Sequence, residues 1–433
     1  MPGEWKSLSL DQLYDFSSGL SKPRSAFGSG YPFLAFKDIF YNSSVPAQLK
    51  ELVNSTERER SKCSIKRGDV FLTRTSETMD ELGMSCVALH DVPNATFNGF
   101  TKRLRPKSAG AVIPEYARYY FRSPKFRQTV TAMSTLSTRA SLNNEMLSRL
   151  SITLPPPVEQ AAIGYILGTF DDQIELNRKM SETLEAMARA LFKSWFVDFY
   201  PVRAKMEGRD PGLPKEIADL FPSRMVESEL GEIPEGWGIE PLDGIARFLN
   251  GLALQKYPPN GMRSLPVIKI AQLRAGNTYG ADRASAELDS DYIVEDGDIL
   301  FSWSGSLECV LWTGGQGALN QHLFKVTSTT HPRWLCYLGI HWHLADFRHI
   351  AEGKATTMGH IQRHHLSDAK IAVPPRAICN VLTRHIGPMI EAVWKRHVES
   401  RTLAALRDAL LPKLISGEIR VQTAMRHVED AIA

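Results

Sequence analysis

The sequence has few cysteines and no long apolar run. Its five cysteines are scattered and form no Cys-x-x-Cys pair, which argues against a disulfide framework or a zinc ribbon and favours a reducing compartment. No apolar stretch reaches the ~18 residues that a membrane span needs, and the first residues do not read as a secretory signal. These absences predict a cytoplasmic protein without membrane segments.

The sequence also lacks the local motifs of several enzyme classes. It contains no Gly-x-x-x-x-Gly-Lys-Ser/Thr, Gly-x-Gly-x-x-Gly, His-Glu-x-x-His or Gly-x-Ser-x-Gly motif, which argues against a P-loop, a dinucleotide fold, a zincin and a serine hydrolase. Histidines are frequent between residues 331 and 365, but His341 and His343 would share a face only on a strand, and the corresponding segment of the first half is predicted to be helical. We therefore predict no catalytic residue and no metal site.

The chain contains two copies of one unit. Gly68-Asp69, followed by an apolar run, recurs as Gly297-Asp298, and Ile152-Thr153-Leu154-Pro155-Pro156 recurs as Ile371-Ala372-Val373-Pro374-Pro375. The copies are about 219 to 232 residues apart, whereas the period of a solenoid is roughly 20–50 residues. The repeat therefore indicates duplicated domains, and 433 residues exceed the ~150 expected of one domain.

Each copy divides into a mixed part and a helical part. Short apolar runs broken by Gly, Pro, Asn and Ser predict α+β domains at 1–154 and 233–373. A heptad-like rhythm predicts long helices within 155–200 and 374–417. The remaining segments are interpreted as a linker at 201–232 and a C-terminal tail at 418–433.

The two long helices are predicted to pair. Apolar positions alternate by four and three along both, and polar residues recur at the middle of each, as in a coiled coil with a polar seam position. Antiparallel pairing would create a pseudo-two-fold axis and hold the two domains apart on a rod of ~60 Å. The alternative is that each helix packs only on its own domain. The predicted seam residues are Ile163, Leu167, Phe170, Ile174, Leu184, Leu191, Trp195, Leu382, Ile386, Met389, Val393, Leu403, Leu410 and Leu414.

The charge is unevenly distributed along the chain. The total is only +3, but residues 1–155 carry 21 basic and 14 acidic side chains, whereas 156–232 carry 9 and 14. A basic first domain suits a polyanion, although basic clusters are also common on solvated faces. Small polar loops that come after the two Gly-Asp strands suit contacts with phosphates or base edges, or ordinary turns.

These patterns supply the candidate nucleic-acid contacts. In the first domain they are Arg58, Arg60, Lys62, Arg74, Thr75, Ser76, Lys102, Arg103, Arg105 and Arg139. In the second domain they are Ser302, Trp303, Ser304, Gln321, His322, Lys354, Thr356, Thr357, His360, Gln362 and Arg363.

Several segments resemble those of a known family. Residues 154–160 (LPPPVEQ), 167–178 (LGTFDDQIELNR) and 184–199 (LEAMARALFKSWFVDF) are similar to the central conserved region of Type I restriction–modification specificity (S) subunits, and 297–306 and 317–326 resemble segments of that family's target-recognition domains. In the second copy Pro375-Arg376-Ala377-Ile378 departs from the Pro-Pro-x-x-Glu-Gln pattern.

The resemblance implies a DNA-recognition subunit without catalysis of its own. Each of two target-recognition domains would read one half of a bipartite, asymmetric site in double-stranded DNA. Two methyltransferase (M) subunits would dock on the helices, and restriction (R) subunits would join them. S-adenosylmethionine, ATP and Mg²⁺ would belong to these partners. The alternatives are a stand-alone DNA-binding protein and an enzyme acting on nucleic acid through an unrecognised site at 331–368.

Overall fold

The structure, a computed structural model, describes residues 5–74, 81–134, 142–261, 263–353, 359–421 and 424. The chain divides into unit 1, which comprises Met1–Gln173 and Leu403–Ala433, and unit 2, which comprises Ile174–Thr402. Each unit contains one mixed α+β domain and one part of each of two long helices.

The first half of the chain forms nine strands and seven helices among the described residues. The strands are β1 (Lys6–Ser9), β2 (Tyr14–Ser18), β3 (Phe27–Leu34), β4 (Glu51–Val53), β5 (Val70–Thr73), β6 (Ser85–Val87), β7 (Thr96–Phe97), β8 (Thr101–Pro106) and β9 (Ser151–Leu154). The helices are α1 (Leu10–Leu13), α2 (Phe36–Tyr41), α3 (Glu57–Lys62), α4 (Pro114–Tyr120), α5 (Pro124–Ser134), α6 (Asn144–Arg149) and α7 (Pro157–Phe192).

The second half has a similar order of elements. Its strands are β10 (Met225–Ser228), β11 (Gly231–Pro234), β12 (Gly238–Pro241), β13 (Arg247–Asn250), β14 (Ser264–Ile268), β15 (Arg283–Ser285), β16 (Ile293–Val294), β17 (Ile299–Ser302), β18 (Cys309–Leu311), β19 (Gly317–Leu319), β20 (Leu323–Thr327) and β21 (Lys370–Val373). Its helices are α8 (Tyr200–Met206), α9 (Lys215–Ala218), α10 (Leu242–Ile245), α11 (Ile270–Ala275), α12 (Arg333–Glu352), α13 (Arg363–Asp368) and α14 (Arg376–Ser416).

The two domains share most of their strand topology, and the second sheet of unit 2 has one strand more than that of unit 1. In unit 1 an antiparallel sheet has the order β2-β8-β5-β6, a second sheet has the order β4-β3-β7, and β1 pairs with β9. In unit 2 the corresponding orders are β13-β20-β17-β18, β15-β14-β19-β16 and β12-β21. In both domains the second sheet contains one parallel pair, β3 with β7 and β14 with β19. This correspondence confirms the duplication predicted from the sequence.

The repeated Gly-Asp turn has the same construction in both copies. The Asp69 carboxylate accepts a hydrogen bond from the Lys66 backbone N–H (2.8 Å), and Asp298 accepts one from Glu295 (2.8 Å). Each aspartate also pairs with a cation of the neighbouring strand, Asp69 with Arg105 and Asp298 with Lys325. The aspartate therefore closes the turn and also anchors the next strand.

The long helices run antiparallel within unit 2 and also pack together in unit 1. In unit 2 Asn177 Oδ1 accepts a hydrogen bond from Arg396 (3.0 Å), and Ser181 Oγ lies 3.4 Å from the Val393 carbonyl oxygen. Residues later in α7 therefore contact residues earlier in α14, as in an antiparallel pair. In unit 1 the Asp171 carboxylate accepts a hydrogen bond from Arg407 (2.5 Å). The helices therefore do not pack only on their own domains, and the predicted α+β fold with two long antiparallel helices is confirmed.

The predicted seam residues differ in their burial. Ten are buried, namely Ile163, Leu167, Phe170, Trp195, Leu382, Ile386, Val393, Leu403, Leu410 and Leu414, whereas Ile174, Leu184, Leu191 and Met389 are partly buried. Trp195 lies where α7 passes into a π-helical turn at Lys193–Val197, and its ring packs against that of Phe221, with ring centroids 5.7 Å apart. It belongs to the core of unit 2.

The segment interpreted as a linker is folded. Residues 201–232 contain most of α8, the whole of α9 and most of the β10–β11 hairpin, and Val202 and Phe221 are buried in the core of unit 2. Our domain boundaries otherwise stay predictions. Within the described part of the chain, no helix combines the length and apolar character needed to cross a membrane.

Candidate nucleic-acid interface

Trp303 is the centre of a polar cluster where β17 ends. Its indole N–H lies 2.9 Å from Asn250 Oδ1 and 3.1 Å from the Gln321 carbonyl oxygen. The ring lies against His322, with centroids 5.6 Å apart, and against Phe324, at 6.2 Å. Because both the N–H and the ring are engaged, Trp303 is a fixed platform on which neighbouring polar groups are displayed.

Ser304 and His322 are bonded to each other beside this platform. Ser304 Oγ lies 3.0 Å from His322 Nδ1, and Gln321 Nε2 lies 3.3 Å from His322 Nε2. Ser304 also forms a backbone bridge to His360, whose ring is 6.5 Å from that of Trp303. Hydroxyl, imidazole and amide groups, which can donate to and accept from base edges, are thus brought together.

The remaining described candidates of unit 2 flank this cluster. Arg363 is exposed at the start of α13 and its guanidinium lies 5.7 Å from the Phe324 ring. Gln362 is exposed as well, with its backbone N–H bonded to His365. Ser302 Oγ is directed inward and donates to the Ser306 carbonyl oxygen (2.6 Å). Ser302 is fully buried, so its predicted nucleic-acid contact is corrected to a structural role in the turn.

Arg74 occupies the equivalent position in unit 1. It comes directly after β5 as Trp303 comes directly after β17, and its backbone N–H donates to the Phe100 carbonyl oxygen (2.9 Å) as that of Trp303 does to His322 (3.3 Å). Lys102 lies nearby, with its ammonium bonded to Ser18 and Asn144. Burial, and to a smaller extent the positive charge of Arg74, lowers the pKa of Lys102.

Two predicted phosphate contacts of unit 1 are used within the fold. Arg103 is 8% exposed and donates to the carbonyl oxygens of Lys62 and Ser64. Arg105 forms a two-pronged pair with Asp69, which is fully buried. Releasing either guanidinium would leave buried acceptors unpaired, which is costly. Both guanidinium groups are therefore engaged within the fold, and their contact with nucleic acid stays a prediction.

The basic residues of α3 are presented differently. Arg58 and Lys62 are exposed one turn apart, whereas Arg60 stacks over the Tyr31 ring at 3.7 Å and donates to the Ser55 carbonyl oxygen. Arg58 and Lys62 therefore stay available for phosphate contact. The other candidates, Thr75, Ser76, Arg139, Lys354, Thr356 and Thr357, lie outside the described residues.

Three asparagines and an aromatic residue at these strand ends were not among the residues predicted from the sequence. Asn250 holds the Trp303 indole, and Asn98 and Asn320 cap equivalent turns by accepting the backbone N–H two residues later, at 2.7 and 3.3 Å. Phe100, the residue so bonded in unit 1, is 64% exposed. The repeated Asn two positions before an aromatic or imidazole side chain is the signal that could have identified this turn.

The histidines between 331 and 365 do not form one site. His341 lies beside Arg189 (3.5 Å), whereas His343 lies 3.0 Å from the Lys370 carbonyl oxygen. Burial, and to a smaller extent the positive charge of Arg189, lowers the pKa of His341 to about 4. Among the residues that the structure describes, no group of three or more potential ligands is arranged to hold a metal ion.

Equivalent tyrosines attach each domain to α7. In unit 1 Tyr119 donates to Asp171 (2.6 Å), which also binds Arg118 and Arg407. In unit 2 Tyr337 donates to Glu185 (2.8 Å). Burial opposes ionisation of Glu185, but hydrogen bonds from Arg189 and Tyr337 outweigh it and lower its pKa.

The fold and the strand-end clusters define a protein with two copies of one α+β domain, each carrying a different set of polar side chains on the same backbone frame. Residues 2–186 match the family described as the Type I restriction modification DNA specificity domain.

Relatives match along nearly the whole chain. It is 26% identical to the Type I restriction enzyme MjaIX specificity subunit of Methanocaldococcus jannaschii, over 98% of this chain and 95% of that protein. It is 25% identical to the HindI specificity subunit of Haemophilus influenzae, over 96% and 100%. The crystal structure of a Type I S subunit from M. genitalium shares the fold, with a TM-score of 0.54, 13% identity, and coverage of 95% of this chain and 96% of that one. The chain is thus similar along nearly its whole length to specificity subunits of Type I restriction enzymes, and residues 2–186 match the model of their DNA specificity domain.

Proposed function

We propose that this chain is the DNA-recognition subunit of a Type I restriction–modification complex, in which each domain reads one half of a bipartite, asymmetric target. The observation that carries the proposal is that one backbone frame, repeated in both domains, presents different side chains. Arg74 and Phe100 stand in unit 1 where Trp303 and His322 stand in unit 2. Two copies of one reader with unlike contacts suit two unlike half-sites.

The chemistry of the strand ends supports contact with DNA. In unit 2 the His322, Gln321 and Ser304 groups form a compact set of donors and acceptors, and such side chains distinguish base pairs in the major groove. In unit 1 Arg58 and Lys62 are exposed cations on α3, which suit phosphate contacts that position the domain. The net charge of +7 on residues 1–155 adds a favourable long-range field.

The exposed faces of α7 are the proposed docking surface for two M subunits. In unit 1 Val158 and Tyr165 are 83% and 66% exposed and lie seven residues apart, which places them on one helix face. In unit 2 Leu176 and Met187, eleven residues apart, are 49% and 47% exposed on one face. Large apolar side chains left in water on a helix favour a protein partner.

The partners would supply the chemistry. We assign S-adenosylmethionine to the M subunits and ATP and Mg²⁺ to the R subunits of the complex, with no cofactor held by this chain. Such a complex would act on chromosomal and incoming DNA, so we place the chain in the cytoplasm.

Reconstitution tests the proposal. The purified chain should transfer no methyl group from S-adenosylmethionine to DNA, whereas the chain together with its M subunit should methylate a defined bipartite sequence, mapped by methylation-sensitive sequencing. His322→Ala should weaken binding by roughly ten- to hundredfold through lost base contacts, whereas Tyr279→Ala, at an 87% exposed residue of the same unit, should bind as the wild type does.

Three outcomes would contradict the proposal. Metal-dependent cleavage of DNA by the chain alone would favour an enzyme. Specific DNA binding that does not change when M is added would favour a stand-alone DNA-binding protein. Methylation by the reconstituted complex at a single uninterrupted sequence would contradict the assignment of one half-site to each domain.

A further inference from the structure

The turn that precedes β8 is rigidly held in unit 1, and its counterpart precedes β20 in unit 2. Asn98 Oδ1 accepts the Phe100 backbone N–H (2.7 Å), and the Phe100 carbonyl oxygen accepts the backbone N–H of Arg74 (2.9 Å). His322 is held in the same two ways, by Asn320 and Trp303. Both backbone polar groups of this residue are therefore committed, and the position of each Cα atom is fixed.

The chain beneath the turn is packed tightly. Gly99 N–H donates to the Leu20 carbonyl oxygen (3.0 Å), and a Cβ atom on Gly99 would lie 2.2 Å from Ser21 Oγ. In unit 2 the corresponding donor is the Gln321 N–H, which bonds to Leu252 at 2.9 Å. A residue presented on such a frame loses little conformational entropy on binding.

The presented side chains differ in chemistry. Phe100 directs a large apolar ring into solvent and is 64% exposed. It lies next to Arg74, whose backbone it binds, on a domain with net charge +7. An exposed phenyl ring on a basic, rigid turn forms no conventional hydrogen bond with water or with a phosphate. The apolar feature that DNA offers to a side chain in the major groove is the C5-methyl group of thymine.

We propose that Phe100 is a specificity-determining residue that contacts a thymine methyl group in the half-site read by the first domain, at the position where the second domain uses His322 for hydrogen bonding. This inference rests on the proposed function. It predicts that the half-site of the first domain contains an A·T pair whose thymine methyl contributes to binding.

Replacement of thymine by deoxyuridine tests the contact, because it removes only the methyl group. The chain assembled with its M subunits is titrated, by fluorescence anisotropy, with duplexes carrying the mapped target and one deoxyuridine at each thymine position in turn. One replacement in the first half-site should weaken wild-type binding about three- to fivefold, as expected for one buried methyl group. Phe100→Ala should bind the normal target at least as weakly, and should no longer distinguish thymine from deoxyuridine there.

Two further variants control the experiment. Phe100→Leu should keep most of the sensitivity to deoxyuridine, because it remains apolar. Tyr41→Ala removes an aromatic ring of the same domain that is 77% exposed and should bind as the wild type does. Both Phe100 variants should retain the wild-type thermal transition, since the ring is largely in solvent.

The inference is wrong if Phe100→Ala binds the target with unchanged affinity, or if it loses affinity while every deoxyuridine effect persists, as it would for a ring inserted between bases. It is also wrong if the first half-site contains no A·T pair. These results differ from failure of the proposed function, in which the assembled wild-type complex would bind no bipartite target.

Discussion

Asp171 holds together three parts of unit 1, so its replacement should loosen all of them. The carboxylate on α7 accepts hydrogen bonds from Tyr119 (2.6 Å) and Arg407 (2.5 Å) and binds Arg118. The side chains of Arg118, Asp171 and Arg407 are 13%, 22% and 28% exposed. Asp171→Asn keeps the shape but removes the charge, which takes the shared counter-ion from two mostly buried cations.

The expected cost is about 2–3 kcal/mol. Breaking a fully buried ion pair costs roughly 3–5 kcal/mol, and the residual exposure here reduces this. Hydrogen–deuterium exchange of the peptides covering α4 and the last turns of α14 should accelerate by about 30- to 150-fold, because 1.4 kcal/mol corresponds to a factor of ten. Asp172→Asn, at the exposed neighbouring position, should exchange as the wild type does. Equal exchange in the two variants would refute the claim that Asp171 links α7, α4 and α14.

Further predictions concern two glycines and one partly buried histidine. Gly19 and Gly251 occupy equivalent positions where an added Cβ would lie 2.3 Å from the Asn98 carbonyl oxygen and 2.2 Å from that of Asn320, so Gly251→Ala should lower the thermal transition by several degrees. Gly168→Ala, in α7 with open space around the site, should stabilise the chain by about 0.5–1 kcal/mol. A stabilising Gly251→Ala together with a destabilising Gly168→Ala would contradict the packing argument. Because the pKa of His341 is lowered to about 4 from ~6.5 in an unfolded chain, the unfolded state binds the proton first, and stability is complete above pH 6.5 and falls as the pH drops towards 4. Between pH 7 and pH 5 this residue should lower the free energy of unfolding of unit 2 by about 2 kcal/mol. Urea titrations followed by tryptophan fluorescence measure this loss, because unit 2 contains seven of the eight tryptophans. His341→Gln should remove the loss, whereas His364→Gln should not.

The duplication was predictable from the sequence because repeated turns and strands need the same residues wherever they occur. Gly-Asp before an apolar run forms the same closed turn in both copies, and the strand after each turn is buried along its whole length, so only apolar or small residues fit there. The antiparallel helix pair was predictable because a heptad pattern depends only on local spacing.

The assignment of individual arginines was not predictable, since charge alone does not show whether a cation faces water. Arg58 is exposed, whereas Arg103 and Arg105 have the same side chain and are held by carbonyl and carboxylate groups distant in sequence. The π-helical turn at Lys193–Val197, in which Trp195 contacts Phe221, is a local departure from the α-helix that heptad spacing does not encode. Phe100 could not be predicted as a contact residue, because an isolated phenylalanine in a sequence is expected to be buried.

Exchange of one recognition domain tests the central claim most directly. Residues 1–150 are replaced by the corresponding residues of a relative with a different target, and the assembled methyltransferase complex is mapped by methylation-sensitive sequencing. The two-reader account predicts that one half of the bipartite target changes while the other half is retained. A change in both halves, or in neither, would contradict the claim that each domain reads its own half-site.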